Sequence, residues 1–336
     1  MTAIDTEAQT KTISTSQAVN EALDEALAAD PRVFLLGEDL ADPAGGVNGI
    51  TAGLSTKHGA HRVLDTPISE AAIIGAAVGA AFEGQIPVAE IMIMDFISIA
   101  MDQIVNHAAK SRFMSAGRTT APLTIRTATF GGLGSGATHS QSLEAWFMHV
   151  PGLKVVMPST PADVKGLLKA SIFDPDPVVF IETAACYGIK GEVPLGDYTV
   201  PLGVADIKRP GSDLTVISYG RGVYDALQAA EQLAQDGIEA EVVDLRTLVP
   251  LDVDTILESV ARTGRAVITH YATEFSGPGA EVSARINSEL FGRLKAPVER
   301  LGARFRSIPA HSLEAHVYPT VDTIVAAARR TMEYSR

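Results

Sequence analysis

Short apolar runs alternate with longer amphipathic stretches along this sequence. The run Val33–Gly37 has the length and composition of a buried strand, whereas residues 14–29 place Val19, Leu23 and Leu27 on one face of a helix. The same criteria predict further strands at residues 63–64, 87–92, 122–127, 153–157, 177–182, 214–219, 240–244, 266–270 and 298–302. They predict further helices at residues 71–81, 96–116, 161–173, 223–236, 253–263, 279–290 and 321–334, and a short one within 41–60. Because strands and helices alternate, the sequence predicts an α/β fold built on parallel sheets.

The composition of the sequence changes between residues 188 and 213, where prolines and glycines recur and the hydrophobic residues show little periodicity. Such a stretch is typical of a linker, and 336 residues are enough for two domains. We therefore predict domains at residues 12–190 and 213–336, joined by a linker at residues 191–212. Both predicted domains show the α/β alternation, but their sequences are not repeats of each other.

The composition excludes several kinds of binding partner and of metal site. The formal net charge is −13 and no basic cluster offsets it, so binding of nucleic acid through its phosphates is not expected. Cys186 is the single cysteine, which rules out an intrachain disulfide and a zinc site built on cysteine spacing. Residues 1–16 lack the apolar core of a signal peptide, and the apolar segment 71–82 is too short to cross a bilayer. These features predict a cytoplasmic protein that contacts neither membrane nor nucleic acid.

The run from Gly131 to Ser142 places one histidine, His139, at the end of a glycine-rich loop. Glycines give the backbone conformations that other residues rarely adopt, so such a loop can approach a ligand closely. His139 is then a titratable group that a mobile segment brings to a site. The alternative is a loop histidine satisfied by local hydrogen bonds.

Glu70 stands at the start of a predicted helix whose next eleven residues are all apolar or glycine. Taken alone, it is an acidic first-turn residue after Ser69, which is typical of a capped helix. Its position at the edge of a dry region also favours a second role, in which its carboxyl shares a proton with a ring nitrogen of a cofactor.

Other positions are first interpreted as structural. Phe96, Trp146 and Phe147 are expected in the core, and Cys186 is expected to be an inert thiol. Gly75 and Gly79 would let a second helix approach closely, from this subunit or another. The phosphate-binding patterns G-x-x-x-x-G-K-[ST] and G-x-G-x-x-G after a strand are missing from the sequence, so this chain alone is not expected to hold a nucleotide diphosphate.

Longer motifs carry a resemblance to one family. They are the segment 65–70 with its Ala/Gly helix and the segments 101–104, 139–147, 151–156 and 244–248. Together they resemble the β subunit of the thiamin-diphosphate-dependent first component of 2-oxo acid dehydrogenase complexes, over about residues 12–334. The pyruvate, branched-chain and acetoin enzymes belong to that family.

The resemblance implies an architecture and a partner. The expected fold is a pyrimidine-binding transketolase-like domain followed by a C-terminal transketolase-like domain, within an α2β2 heterotetramer. Thiamin diphosphate is expected between α and β, with Mg²⁺ and the diphosphate held mainly by the α subunit through a Gly-Asp-Gly motif. This sequence contains no Gly-Asp-Gly, which agrees with its missing phosphate loops.

The resemblance also assigns roles to individual positions. Glu70 matches the glutamate that pairs with the aminopyrimidine ring of the cofactor, and Phe96 matches the aromatic residue that stacks on it. His139 matches the histidine that assists reductive acylation of lipoamide. A potassium site made mostly of backbone carbonyls aligns with four further positions, Leu123, Ser171, Asp174 and Asp176.

Two positions and one segment depart from the family pattern: Thr138 replaces a glutamine, Tyr271 replaces a glutamate, and residues 304–311 replace a proline-rich turn. The function that the resemblance favours is that of a pyruvate-type 2-oxo acid dehydrogenase. The lipoyl acyltransferase component is a further expected partner, and the altered turn lies in the region that relatives use for partner contacts. The departures leave an acetoin-cleaving or carbon–carbon-ligating enzyme outside a large complex as an alternative. A non-catalytic assembly subunit is a further alternative, against which the retention of Glu70, Phe96 and His139 argues.

Overall fold

The computed structural model describes residues 9–334. Its strands are β1 Thr10–Ser14, β2 Val33–Gly37, β3 Val63–Asp65, β4 Ile86–Ile91, β5 Thr124–Thr129, β6 Lys154–Val156, β7 Val178–Thr183, β8 Lys190–Pro194, β9 Asp206–Arg209, β10 Leu214–Ser218, β11 Ala240–Asp244, β12 Thr247–Val249, β13 Ala266–Thr273 and β14 Glu299–Ala303. Its α-helices are α1 Thr15–Ala29, α2 Leu54–His58, α3 Glu70–Phe82, α4 Ser111–Met114, α5 Glu144–Met148, α6 Pro161–Ile172, α7 Arg221–Gln235, α8 Val253–Thr263, α9 Pro278–Leu290 and α10 Val321–Glu333. This alternation confirms the predicted α/β fold.

Two mostly parallel sheets organise the chain. The first has seven strands in the order β12-β6-β7-β5-β4-β2-β3, of which only β12 runs antiparallel to its neighbour. The second has five strands in the order β14-β13-β10-β11-β9, with β9 antiparallel at its edge. The near-continuous burial of β5, β7, β10 and β11 is what parallel strands covered on both faces require.

The predicted linker is more structured than its composition suggests. Within residues 188–213, β8 pairs with β1 and β9 pairs with β11. Beyond this region, β12 crosses back and pairs with β6 of the first sheet. Strand pairing satisfies the backbone N–H and C=O groups of these segments. The sequence did not reveal these strands, because the segments have little hydrophobic periodicity. The domain boundaries themselves stay a prediction.

The long helix predicted at residues 96–116 is wrong. The structure has a 3₁₀ segment at Met94–Ala100, a π-helical turn at Gln103–Ala108 and the short α4. The Ala109 N–H bonds the Ile104 carbonyl five residues back, which widens the helix there. Such turns interrupt helices frequently at functional sites, and propensity alone does not reveal them.

Trp146 is also placed differently from the prediction. Its side chain is about half exposed, whereas the neighbouring Phe147 is fully buried as expected. Cys186 is a buried free thiol whose pKa is raised by burial, which agrees with an inert role. No helix in the described part of the chain is long and apolar enough to cross a membrane.

Candidate active site

Four neighbouring strands of the seven-stranded sheet end at one edge, and a candidate site residue follows each of them. Glu38 follows β2, Glu70 follows β3, Phe96 follows β4 and His139 lies in the loop after β5. Crevices outside the carboxyl ends of parallel strands are where open α/β sheets bind ligands. The topology therefore gathers at one edge residues that are about 100 positions apart in the sequence.

Glu70 is the first residue of α3 and is only 6% exposed. Ser69 makes no side-chain cap, so the capped-helix interpretation does not account for this helix start. Within residues 9–334, the Glu70 carboxyl has no hydrogen-bond or ion-pair partner. A buried carboxyl without a protein partner fits a ligand that offers it an N–H group, which is what an aminopyrimidine ring can present.

A second carboxyl lies beside Glu70. The pKa of Glu38 is raised, first by burial and then by the negative charges of Glu70, Asp39 and Glu90. Burial and the neighbouring negative charges therefore favour the protonated form of Glu38. Glu38 escaped the sequence reasoning, although its place directly after a buried strand was a usable signal.

Phe96 and His139 are in contact. Their ring centroids lie 5.3 Å apart with the planes at 84°, an edge-to-face arrangement. Phe96 is half-buried and packs against the core to which α3 and the 3₁₀ segment both contribute. The hydroxyl of Thr138 is 3.1 Å from His139 Nδ1, which gives the ring a local partner on one nitrogen.

Asp95 ties the histidine loop to the 3₁₀ segment. Its carboxylate accepts the Gln141 side-chain amide at 2.8 Å and the Gln141 backbone N–H at 3.3 Å. Burial raises the pKa of Asp95, and these hydrogen bonds oppose the rise. The sequence reasoning missed this pair, since the two residues are distant along the chain.

The other side of the loop contacts the C-terminal part of the chain. Glu314 accepts hydrogen bonds from the backbone N–H groups of Gly132 and Gly134. The Tyr318 hydroxyl donates to the Ser140 carbonyl at 3.3 Å, and the Tyr318 ring stacks on Tyr271 at 4.6 Å. The glycine-rich loop, predicted to be mobile, is thus held at several points.

A buried ion network lies beside the site. Arg126 on β5 is 3% exposed, and its guanidinium contacts Glu182 on β7 at 2.6 Å and Glu90 on β4 at 2.5 Å. Tyr187 donates to the second oxygen of Glu182 at 2.8 Å. Burial raises the pKa of Glu90, and the Arg126 charge opposes that rise. The network joins three neighbouring strands just below the carboxyl edge.

The four residues of the predicted potassium site lie at the opposite edge of the sheet, near the starts of β5 and β7. The Asp174 carboxylate pairs with Lys154 and the Asp176 carboxylate with Arg112. The Leu123 carbonyl accepts the Val178 N–H at 2.9 Å and the Ser171 carbonyl accepts the Asp174 N–H at 3.2 Å. Since a carbonyl oxygen has two lone pairs, these contacts are compatible with a carbonyl-lined cation site, which stays a prediction.

Two family profiles cover most of the chain. Residues 11–188 match the transketolase pyrimidine-binding domain, and residues 203–324 match the transketolase C-terminal domain. A solved structure described as a split-gene transketolase in an inactive β4 tetramer superposes with a TM-score of 0.79, covering 96% of this chain and 99% of that one. At 24% identity, this likeness shows the fold.

Three relatives are similar over nearly their whole lengths. The β subunit of acetoin:2,6-dichlorophenolindophenol oxidoreductase of Cupriavidus necator is 47% identical, over 96% of this chain and 98% of the relative. The β-2 subunit of the mitochondrial pyruvate dehydrogenase E1 component of Oryza sativa is 46% identical, over 96% and 87%. The β subunit of 2-oxoisovalerate dehydrogenase of Bacillus subtilis is 46% identical, over 94% and 98%.

Proposed function

This chain belongs to the family of β subunits of the pyruvate, branched-chain 2-oxo acid and acetoin dehydrogenases, and we propose that with an α subunit it decarboxylates a 2-oxo acid, of the pyruvate type, and transfers the acyl group to lipoamide. The observation that carries this proposal is the convergence of Glu70, Phe96 and His139 at one sheet edge. Bound thiamin diphosphate would supply the electron sink for breaking the carbon–carbon bond next to the carbonyl.

Glu70 would exchange a proton with a nitrogen of the aminopyrimidine ring. Its burial at the edge of the apolar helix α3 and its lack of a protein partner support this role. One turn further along α3, Ile73 and Ile74 are buried and make this side of the carboxyl apolar. In such surroundings a single charge-assisted hydrogen bond is strong.

Phe96 and His139 would act on either side of the reacting centre. Phe96 would pack against the cofactor ring and hold the imidazole edge-on. With Nδ1 beside the Thr138 hydroxyl, His139 Nε2 would donate a proton to a lipoyl sulfur as the disulfide opens.

The partners are part of the proposal. Mg²⁺ and the diphosphate would be held mainly by an α subunit in an α2β2 heterotetramer, because this sequence lacks Gly-Asp-Gly. The outer face of α3 supports close approach of another chain: a Cβ placed on Gly79 would meet no atom within 4 Å. Potassium binding, docking to a lipoyl acyltransferase and a cytoplasmic location are further expectations.

Acetoin cleavage is the second candidate. Two acetoin oxidoreductase β subunits, from Cupriavidus necator and Bacillus subtilis, are 47% and 45% identical to this chain, within a few per cent of the pyruvate relative. Identity at this level leaves the substrate open, and part of the substrate pocket would come from the α subunit.

The deciding experiment is dye-coupled turnover. The chain, purified with its α subunit and loaded with thiamin diphosphate and Mg²⁺, is assayed with pyruvate, branched 2-oxo acids and acetoin. We expect turnover of pyruvate above the others. Preference for acetoin would overturn the pyruvate assignment, and no turnover of any substrate by a cofactor-loaded heterotetramer would overturn the proposed function.

A further inference from the structure

One carboxylate holds two backbone N–H groups of the histidine loop. Glu314 Oε1 accepts the Gly132 N–H at 2.8 Å, and Glu314 Oε2 accepts the Gly134 N–H. Glu314 lies in the 3₁₀ segment His311–His316 and is 3% exposed, and both hydrogen bonds are partly buried. Charge-assisted hydrogen bonds of this kind are about twice as strong as neutral ones.

The contact continues along both segments. The His311 N–H donates to the Gly134 carbonyl at 3.1 Å, and Ser135 forms a β-bridge with Ala310. Gly134 has a φ of +78°, and a Cβ there would meet the His311 backbone at 3.1–3.2 Å. Only glycine therefore allows the loop to lie so close to the 3₁₀ segment.

The hydrogen bonds of Glu314 to Gly132 and Gly134, called the clamp below, lie five to seven residues before His139. Without it, a run with positive φ at Gly132, Gly134 and Gly136 would keep the conformational freedom that glycine confers. Asp95 holds Gln141 on the far side of the histidine. The loop is therefore held on both sides of His139, by Glu314 before it and by Asp95 and Tyr318 after it.

We propose that Glu314 is a positioning residue for acyl transfer: its carboxylate fixes the loop so that His139 meets the lipoyl group in register. This inference rests on the proposed function of His139. It assigns to the C-terminal domain a part in chemistry whose other residues all follow strands of the first sheet.

The test compares Glu314→Gln with Glu299→Gln in the α-bound, cofactor-loaded enzyme. The glutamine keeps one acceptor oxygen and loses the other, whereas Glu299 only pairs with Arg330 on the surface of the same domain. We expect the ratio of the lipoyl-acylation rate to the dye-reduction rate to fall about tenfold in Glu314→Gln. Glu299→Gln should keep the wild-type ratio.

Hydrogen–deuterium exchange gives a readout that does not depend on activity. In Glu314→Gln, peptides from residues 131–140 should exchange about tenfold faster, while β5 keeps its protection. Gly134→Ala, in which the carboxylate is intact but the close approach is blocked, should lower the rate ratio in the same direction. Gly237→Ala is its control, since Gly237 has nearly the same φ and open space around it.

The possible results distinguish the positioning role of Glu314 from the role of His139 in acyl transfer. If His139→Ala lowers the rate ratio but Glu314→Gln and Gly134→Ala change neither ratio nor exchange, the positioning role is wrong. If His139→Ala leaves the ratio unchanged, the proposed function of His139 fails, whereas faster loop exchange in Glu314→Gln would still establish the clamp as a structural feature.

Discussion

The Phe96 ring meets the His139 imidazole edge-on, at 5.3 Å between centroids and 84° between planes. One residue follows β4 and the other lies in the loop after β5, so the contact joins two segments of the site. It also joins the two proposed roles, because the ring that would pack against the cofactor orients the histidine that would serve the acceptor.

This contact predicts energetic coupling between Phe96 and His139. A double-mutant cycle of Phe96→Leu and His139→Ala, read from kcat/KM for a lipoyl acceptor, should give a coupling energy of about 0.5–1.5 kcal/mol. His139→Ala alone should reduce lipoyl acylation more than dye reduction. The highly exposed Phe291 is the control, since Phe291→Leu should be additive with His139→Ala. If the effects of Phe96→Leu and His139→Ala on kcat/KM are additive, the contact between the two rings does not contribute to activity.

Glu70→Gln should lower decarboxylation by at least about 100-fold, because the amide keeps the shape of the side chain but cannot exchange the proton. Dye-coupled turnover at saturating thiamin diphosphate measures the loss. Glu83→Gln, at the exposed C-terminal end of the same helix, should leave turnover unchanged. Wild-type turnover in Glu70→Gln would remove Glu70 from the mechanism.

Arg126→Met should destabilise the chain by about 3–5 kcal/mol, because Glu90 and Glu182 would then be buried without a counter-charge. Chemical denaturation of the full chain measures the free energy of unfolding. Arg329→Met breaks the exposed ion pair with Asp236 and should cost less than about 1 kcal/mol. If both variants lose the same free energy of unfolding, the buried Arg126 ion pairs stabilise the fold no more than the exposed pair does.

Asp244 predicts a pH dependence of stability. Burial raises its pKa from 3.8 to about 6, against the opposing charge of Lys208. The folded chain therefore binds this proton more tightly than the unfolded chain. The stabilising contribution is fully present below pH 3.8 and is lost as the pH rises through 6.

The comparison with Asp244→Asn isolates this effect. Between pH 4 and 7 the stability of the wild type should fall relative to Asp244→Asn, by about 2–3 kcal/mol in the free energy of unfolding. Denaturation of both proteins across this range measures the difference. If the free energy of unfolding of the wild type, relative to that of Asp244→Asn, stays constant or increases toward pH 7, the raised pKa of Asp244 is contradicted.

Local patterns in the sequence were enough for most of the strands and helices of the two parallel sheets. The apolar run Val33–Gly37 and the spaced apolar residues of α1 each encode their own structure, because burial on one face or both is a local requirement. The interruption at Met94–Ala108 escaped prediction, since its hydrogen bonds depend on packing against α3 and on the contact of Asp95 with Gln141.

For the site, the sequence by itself supplied the candidate residues Glu70, Phe96 and His139, whose proposed roles come from the motifs of the resemblance. Only the tertiary structure decided which groups surround them. The charge of Glu70 acts on Glu38 because β2 and β3 are neighbours in the sheet, and Glu314 contacts the histidine loop from about 180 residues away. Partners that distant are chosen by sheet order and domain packing, and no local pattern of hydrophobic and polar residues encodes either of these.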